Sequence, residues 1–244
     1  MKTKIYIPSD DALEALISTP NLSWEKIADH YPPSVGVRDW RALHKSKHWR
    51  KFYSAYELAV SWESADPFLP REIQAWFGNS AELLAVIPEH KTPLPGGRRP
   101  SQTDALAFIC NENKVYAVAV EGKAHESFGP TVGEWRKDES DGKIERLKFI
   151  CQTLGLPYPP ANKIRYQLLH RTASALIEAE RFHADCAAMF VHSFAYKQPR
   201  ENSESFADFL SFLKLFNISL DDKKPYTNAE NGKPLYFAWV STQR

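Results

Sequence analysis

The amino-acid sequence predicts an α/β fold, a central mixed β-sheet flanked by helices. Three observations predict it. Apolar β-like runs follow one another in ELLAVIPEHK, TDALAFIC and VYAVAVEGK. Helical patterns stand before and after them, and the chain then alternates strand, helix, strand in AAMFVHSFAY, FADFLSFLKLF and PLYFAWVST. The 244 residues suit one large domain or a core with a helical annex, and 43% hydrophobic content with 14 Phe, 10 Tyr and 7 Trp can fill a sizeable core. That composition excludes a disordered chain.

Residues 9–65 read as helical. SDDALEALIS opens with Ser9 or Asp10 as a cap, and YSAYELAVSWESA carries apolar residues at helical spacing. Residues 1–54 are thus expected to form an N-terminal helical segment packed on a core of residues 55–244. REIQAWF is a short helix stopped by Gly78. ELLAVIPEHK is a buried strand, expected over residues 83–89 and bounded by Pro88. TPLPGGRRPSQ is a loop carrying Arg98 and Arg99. After two further strands, expected over 104–110 and 115–123, DGKIERLKFICQTLGL is an amphipathic helix ending at Gly155. KIRYQLLHRTASALIEAERFHA is the longest helical pattern, and an Asn231-Gly232 turn precedes the last strand.

Charge and cysteine usage narrow the function classes. A formal net charge of +1 gives no global signal for nucleic acid, so any such binding must come from local patches. One patch is RDWRALHKSKHWRKFY (residues 38–53), where six Lys or Arg stand against one Asp, interleaved with Trp40, Trp49, Phe52 and Tyr53. MKTKIYIPSDD has no apolar h-region, and no run approaches the roughly 18 apolar residues of a membrane helix. Cys110, Cys151 and Cys186 are odd in number and widely spaced, which fits a reducing cytoplasm. His183 and Cys186 lack a second ligand pair for zinc, and Cys186 reads as a small core residue.

Side chains in a strand alternate faces. In VYAVAVEGK, Val115, Ala117, Ala119, Glu121 and Lys123 share one face; in the strand before it Asp104, Leu106, Phe108 and Cys110 do. If NENK closes the hairpin through a two- or four-residue loop, Asp104 lies directly opposite Glu121. Two carboxylates about 5 Å apart at Cβ repel. A divalent cation would turn that liability into a site, because Mg²⁺ is typically held by one or two carboxylates. Lys123 can then orient a water or steady charge on a phosphate. A lysine at a strand end is also expected to contribute little packing.

An Asp opening one strand, with E-x-K closing its hairpin partner, resembles the PD-(D/E)XK nuclease-like superfamily. The resemblance covers roughly residues 55–195. More narrowly, SAYELAVSWESA, LLAVIPEHKTPLPGGRRPSQTD, AVEGKAHESFGPTVGEW and RYQLLHRTASALIEAERF are similar to an uncharacterised bacterial family assigned to that fold, which brings no established substrate. The resemblance implies a restriction-endonuclease-like core, with Asp104 and Glu121 as metal-binding acids and Lys123 as the catalytic lysine. It implies Mg²⁺ as cofactor, Mn²⁺ as a substitute, and DNA as the expected substrate. Thr103 stands where the motif's name has proline. A helix glutamate that some members add could be Glu63 or Glu57, and Gln167 matches a glutamine found after E-x-K in some. Gln167, Arg171, Ser174 and Glu178 line one helix face, either as part of the site or as a solvated polar stripe.

The leading expectation is a Mg²⁺-dependent endonuclease, with Arg98, Arg99 and residues 38–51 on backbone phosphates. The alternative is a catalytically inactive nuclease-fold protein acting as a nucleic-acid or protein interaction module. A homo-oligomer is compatible with either.

Overall fold

The hairpin between the second and third strands sets the frame. In the computed structural model Asn111 pairs with Lys114, leaving Glu112 and Asn113 as a two-residue turn. Both turn residues have positive φ, 50° and 60°, the tight geometry that follows the twist of the flanking strands. Ala105 then pairs with Val120, Leu106 with Ala119 and Phe108 with Ala117, which is the register expected from the sequence. The structure describes residues 2–9, 14–16, 18–19, 22–44, 49–194, 203–220 and 223–242.

Five strands lie side by side in chain order: β1 (Glu82–Thr92), β2 (Ser101–Asn111), β3 (Lys114–Lys123), β4 (Cys186–Ser193) and β5 (Leu235–Ser241). The first three are antiparallel, and β3, β4 and β5 are parallel, so the sheet is mixed. Helices α1 (Ile27–His30), α2 (Val37–Leu43), α3 (Ser54–Ala65) and α4 (Arg71–Phe77) precede the sheet. Helices α5 (Val132–Trp135), α6 (Asp141–Thr153) and α7 (Tyr166–Arg181) form the crossover from β3 to β4, and α8 (Glu204–Leu213) the one from β4 to β5.

Alternation along the strands feeds two cores. Leu106, Phe108, Ala117 and Ala119 pack with Leu169, Ala173 and Leu176 of α7 on one face. Ala105, Ala107, Val118 and Val120 pack with Leu58 and Trp62 of α3 on the other. Helix α6 starts at a Ser140 cap, whose hydroxyl accepts from the Lys143 amide. Its end is sharp because Gly155 takes φ of 64° against the Asn228 carbonyl, where a Cβ would stand 2.0 Å from that oxygen.

Three expectations need correction. Pro88 does not bound β1 but lies inside it, opposite Ala105. The amide and carbonyl of Val86, two residues before, point outward to Lys4 and Tyr6, so the missing N–H of Pro88 falls on the outer edge and no bond to β2 is lost. Second, the N-terminal segment is not only helical. Ile5 forms a parallel bridge to Val86, and the Lys4 amide donates to Asp66 Oδ1 at 2.7 Å. Third, β1 and β2 extend past the expected 83–89 and 104–110. The expected helix start after Ser9 or Asp10 falls on residues 10–13, which lie outside the described residues, as do residues 45–48 of the basic segment. No helix among the described residues is long and apolar enough to cross a membrane.

Candidate active site

The last pair of the β2–β3 ladder is Ala105 with Val120. One step further the strands part, and side chains take over the backbone bonds. The Asp104 carboxylate accepts the Gly122 amide at 2.9 Å through Oδ2. Glu121, 2% exposed, points to the α7 face and is held by three donors. Its Oε1 accepts Lys123 Nζ at 2.7 Å and Gln167 Nε2 at 2.6 Å, and its Oε2 accepts Arg171 Nε at 2.8 Å. Lys123 is buried too, its ammonium 4.9 Å from the centre of the Phe128 ring. It is not a loosely packed strand end.

A third acid, which sequence reasoning missed, completes the cluster. Glu89 of β1 is buried with φ of 51°, and it is tied to His44 Nε2 at 2.7 Å and to the Gln102 side chain. Charges then decide protonation. Burial pushes Asp104 up to about 8, and the carboxylates of Glu121 and then Glu89 add to it, against Lys123 and Arg171. Burial alone would raise Glu121 as well, but Lys123 and Arg171 outweigh it and hold Glu121 below the usual range. His44 is raised despite burial, because it bonds Glu89 and faces the charges of Glu89 and Asp104. Three carboxylates meet two permanent cations, and the imbalance is relieved at Asp104, the partly exposed one, which keeps its proton up to about 8.

The polar face of α7 is not solvated. Arg171, Ser174 and Glu178 are all buried. Arg171 Nη1 reaches Ser101 Oγ at 3.2 Å, and Ser174 Oγ donates to the same oxygen at 2.8 Å. Further along, Glu178 takes Arg181 Nη1 at 2.9 Å and His90 Nε2 at 3.2 Å. Burial would raise Glu178, yet His90 and Arg181 keep it low. The stripe therefore bolts α7 to β1 and β2, and Gln167 and Arg171 at its start position Glu121.

The remaining candidates stand elsewhere. Glu63 accepts Trp40 Nε1 at 2.7 Å and Ser34 Oγ at 2.5 Å, so it braces α2 against α3 and is not joined to the acid cluster. Glu57 accepts the Phe52 amide at 2.8 Å. Arg98 and Arg99 are exposed on the β1–β2 loop, which Arg146 of α6 anchors through the Pro95 carbonyl at 2.8 Å. No hydrogen bond or ion pair links them to the cluster among the described residues. His192 is in the core, against Thr242 Oγ1 at 2.9 Å, with burial holding it down to about 3.

The Asp104 shift sets a pH dependence. Its folded pKa lies above its unfolded one, so the stability it contributes is full below about 4 and is lost as pH rises through about 8. The metal-free protein should weaken between pH 5 and 8 by roughly 1–3 kcal/mol, a figure reduced for partial exposure, and level off above. Asp104→Asn keeps an acceptor for the Gly122 amide and should flatten that slope. Urea melts across this range check it; parallel slopes for both proteins would clear Asp104.

Among the described residues, no group of three His, Cys, Asp or Glu side chains is arranged to hold a metal ion. The donors fit a smaller demand. Mg²⁺ needs only one or two protein carboxylates, and the crowding by Glu121 and Glu89 that holds a proton on Asp104 is what a cation would relieve. No curated protein and no solved structure matches the chain. Residues 33–244, spanning both the expected annex and the core, match the family described as Domain of unknown function (DUF6946), and the chain belongs to that family.

Proposed function

We propose that this protein is a divalent-metal-dependent nuclease of the PD-(D/E)XK type, hydrolysing phosphodiester bonds in DNA. One observation carries the reading: Asp104, Glu121 and Lys123 converge where β2 and β3 part, and the neighbouring carboxylates crowd Asp104 so that it keeps its proton up to about 8. Asp104 and Glu121 are the residues that would hold the metal. The chemistry a bound Mg²⁺ supplies, or Mn²⁺ in its place, is acidification of a water and neutralisation of the scissile phosphate. Lys123, already fixed 2.7 Å from Glu121, orients the attacking oxygen and steadies charge developing on phosphorus. Arg171 and Gln167 fix the Glu121 carboxylate and leave it room for one more partner, since a carboxylate has about four lone-pair sites.

A second reading has one observation in its favour. Glu121 is buried and already satisfied by Lys123, Gln167 and Arg171, as in a nuclease fold kept as a catalytically inactive interaction module. Incubating plasmid and single-stranded DNA with the protein in Mg²⁺, Mn²⁺ or chelator separates the two. Metal-dependent cleavage that disappears in Glu121→Gln supports the nuclease. Folded protein that cuts neither substrate with either metal leaves only the module.

A further inference from the structure

The chain just before α3 carries an arrangement that neither the fold nor the acid cluster requires. Phe52 is 55% exposed and holds φ of 72°, a conformation that a bulky aromatic residue rarely adopts. It is kept there deliberately: the Phe52 amide donates to Glu57, a carboxylate buried in α3. The next residue, Tyr53, meets the exposed His125 ring edge-on, with centroids 4.9 Å apart. Arg50 lies 4.5 Å over the Tyr53 ring and bonds its hydroxyl at 2.5 Å. Trp49 packs edge-on against Tyr56, at 5.9 Å, and tilted against His44, at 5.1 Å.

These rings border the acid cluster. A Cβ built at Gly122, between Glu121 and Lys123, would lie 3.4 Å from Ser54 Cβ, and Ser54 directly follows Tyr53. Glu126 locks the junction: it accepts Ser54 N and Oγ, each at 3.0 Å, and the Ala124 amide at 2.8 Å. His44, at the other end, is bonded to Glu89. Arg50 and Lys51 are exposed between the rings.

We propose that the exposed rings of Phe52 and His125, buttressed by the half-buried Tyr53 and Trp49, form a stacking platform for unpaired nucleobases, so that the protein binds single-stranded nucleic acid along this edge. Flat rings on a pre-set backbone offer π-faces to bases of any sequence, and Arg50 and Lys51 complement the adjoining phosphates. A duplex hides its base faces in its own stack and cannot use such rings. Phosphates on Arg50 and Lys51 would place the next linkage toward Lys123. The proposal rests on the nuclease reading only for that direction; the binding itself needs no cleavage.

The test is fluorescence anisotropy in chelator, with a labelled oligothymidine of about 12 residues and a blunt duplex of equal length. The single strand should bind about tenfold or more tighter than the duplex, and Phe52→Ala should weaken it about 5- to 50-fold. Phe52→Trp, which keeps a ring, should bind like the parent, and thermal melts of all three should confirm a folded chain. Single-strand affinity unchanged in Phe52→Ala, or duplex bound as tightly as single strand, overturns the platform. Cleavage of duplex plasmid with such a result would leave the nuclease reading standing. Phe52-dependent binding without any cleavage would keep the platform and remove the nuclease.

Discussion

Replacing Arg171 by methionine should destabilise the protein by about 3–5 kcal/mol, because it removes one partner of a buried ion pair and strands the other. The guanidinium is 8% exposed and spans two elements, with Nε on Glu121 at 2.8 Å and Nη1 on Ser101 at 3.2 Å. Methionine keeps most of the volume, so the loss reports charge and hydrogen bonds more than a cavity. Without Arg171, burial regains weight at Glu121 and raises its folded pKa. A raised carboxyl loses stability as pH climbs, so the deficit should be larger at pH 8 than at pH 5. Urea melts at both values measure this. A deficit below about 1 kcal/mol at either pH would show that Lys123 and Gln167 suffice to compensate Glu121.

On the proposed nuclease reading, Lys123→Met should lower metal-dependent cleavage by at least about 10²-fold, the usual scale for a group that moves or steadies charge in the transition state. The structure changes the other half of that expectation. From its place at a strand end the residue should be dispensable for folding, yet its ammonium is buried on Glu121 and over Phe128. Methionine retains the stem over the ring but leaves Glu121 a donor short, which costs about 1–3 kcal/mol. Rates must therefore be compared well below both melting midpoints. A variant that cuts as fast as the parent assigns Lys123 to folding alone.

The hairpin was legible because its information is local. NENK allows a two-residue turn, alternation supplies the faces, and together they bring Asp104 to the level of Glu121. The polar stripe on α7 was legible as a stripe, since helical spacing shows which residues share a face. What that face packs against depends on Ser101 and His90, distant in sequence, and a helix pattern holds no such information. Glu89 was hidden by a local rule applied too strictly. Treating Pro88 as the bound of β1 left the acid at the last position of the expected strand, although an edge strand tolerates proline where the nitrogen faces outward and continues past it. Glu63 illustrates the opposite failure: its place on a helix before the first strand suited the glutamate that the resemblance implies, but Ser34 and Trp40 fold back to claim it.

The outer side of β1 also bears on how copies of this chain can meet. An open edge strand is a template on which another molecule can add a strand and start aggregation. Here Lys4 and Tyr6 already occupy the amide and carbonyl of Val86. Pro88 next offers no amide at all, and Asp66 pins the covering segment through the Lys4 amide. A second copy seeking to extend the sheet past β1 would have to strip away Ile5 and its neighbours, and would then find a gap in the donors. Self-association through β-sheet continuation is thus blocked on this side, and a homo-oligomer that meets at β1 has to be built from side-chain surfaces.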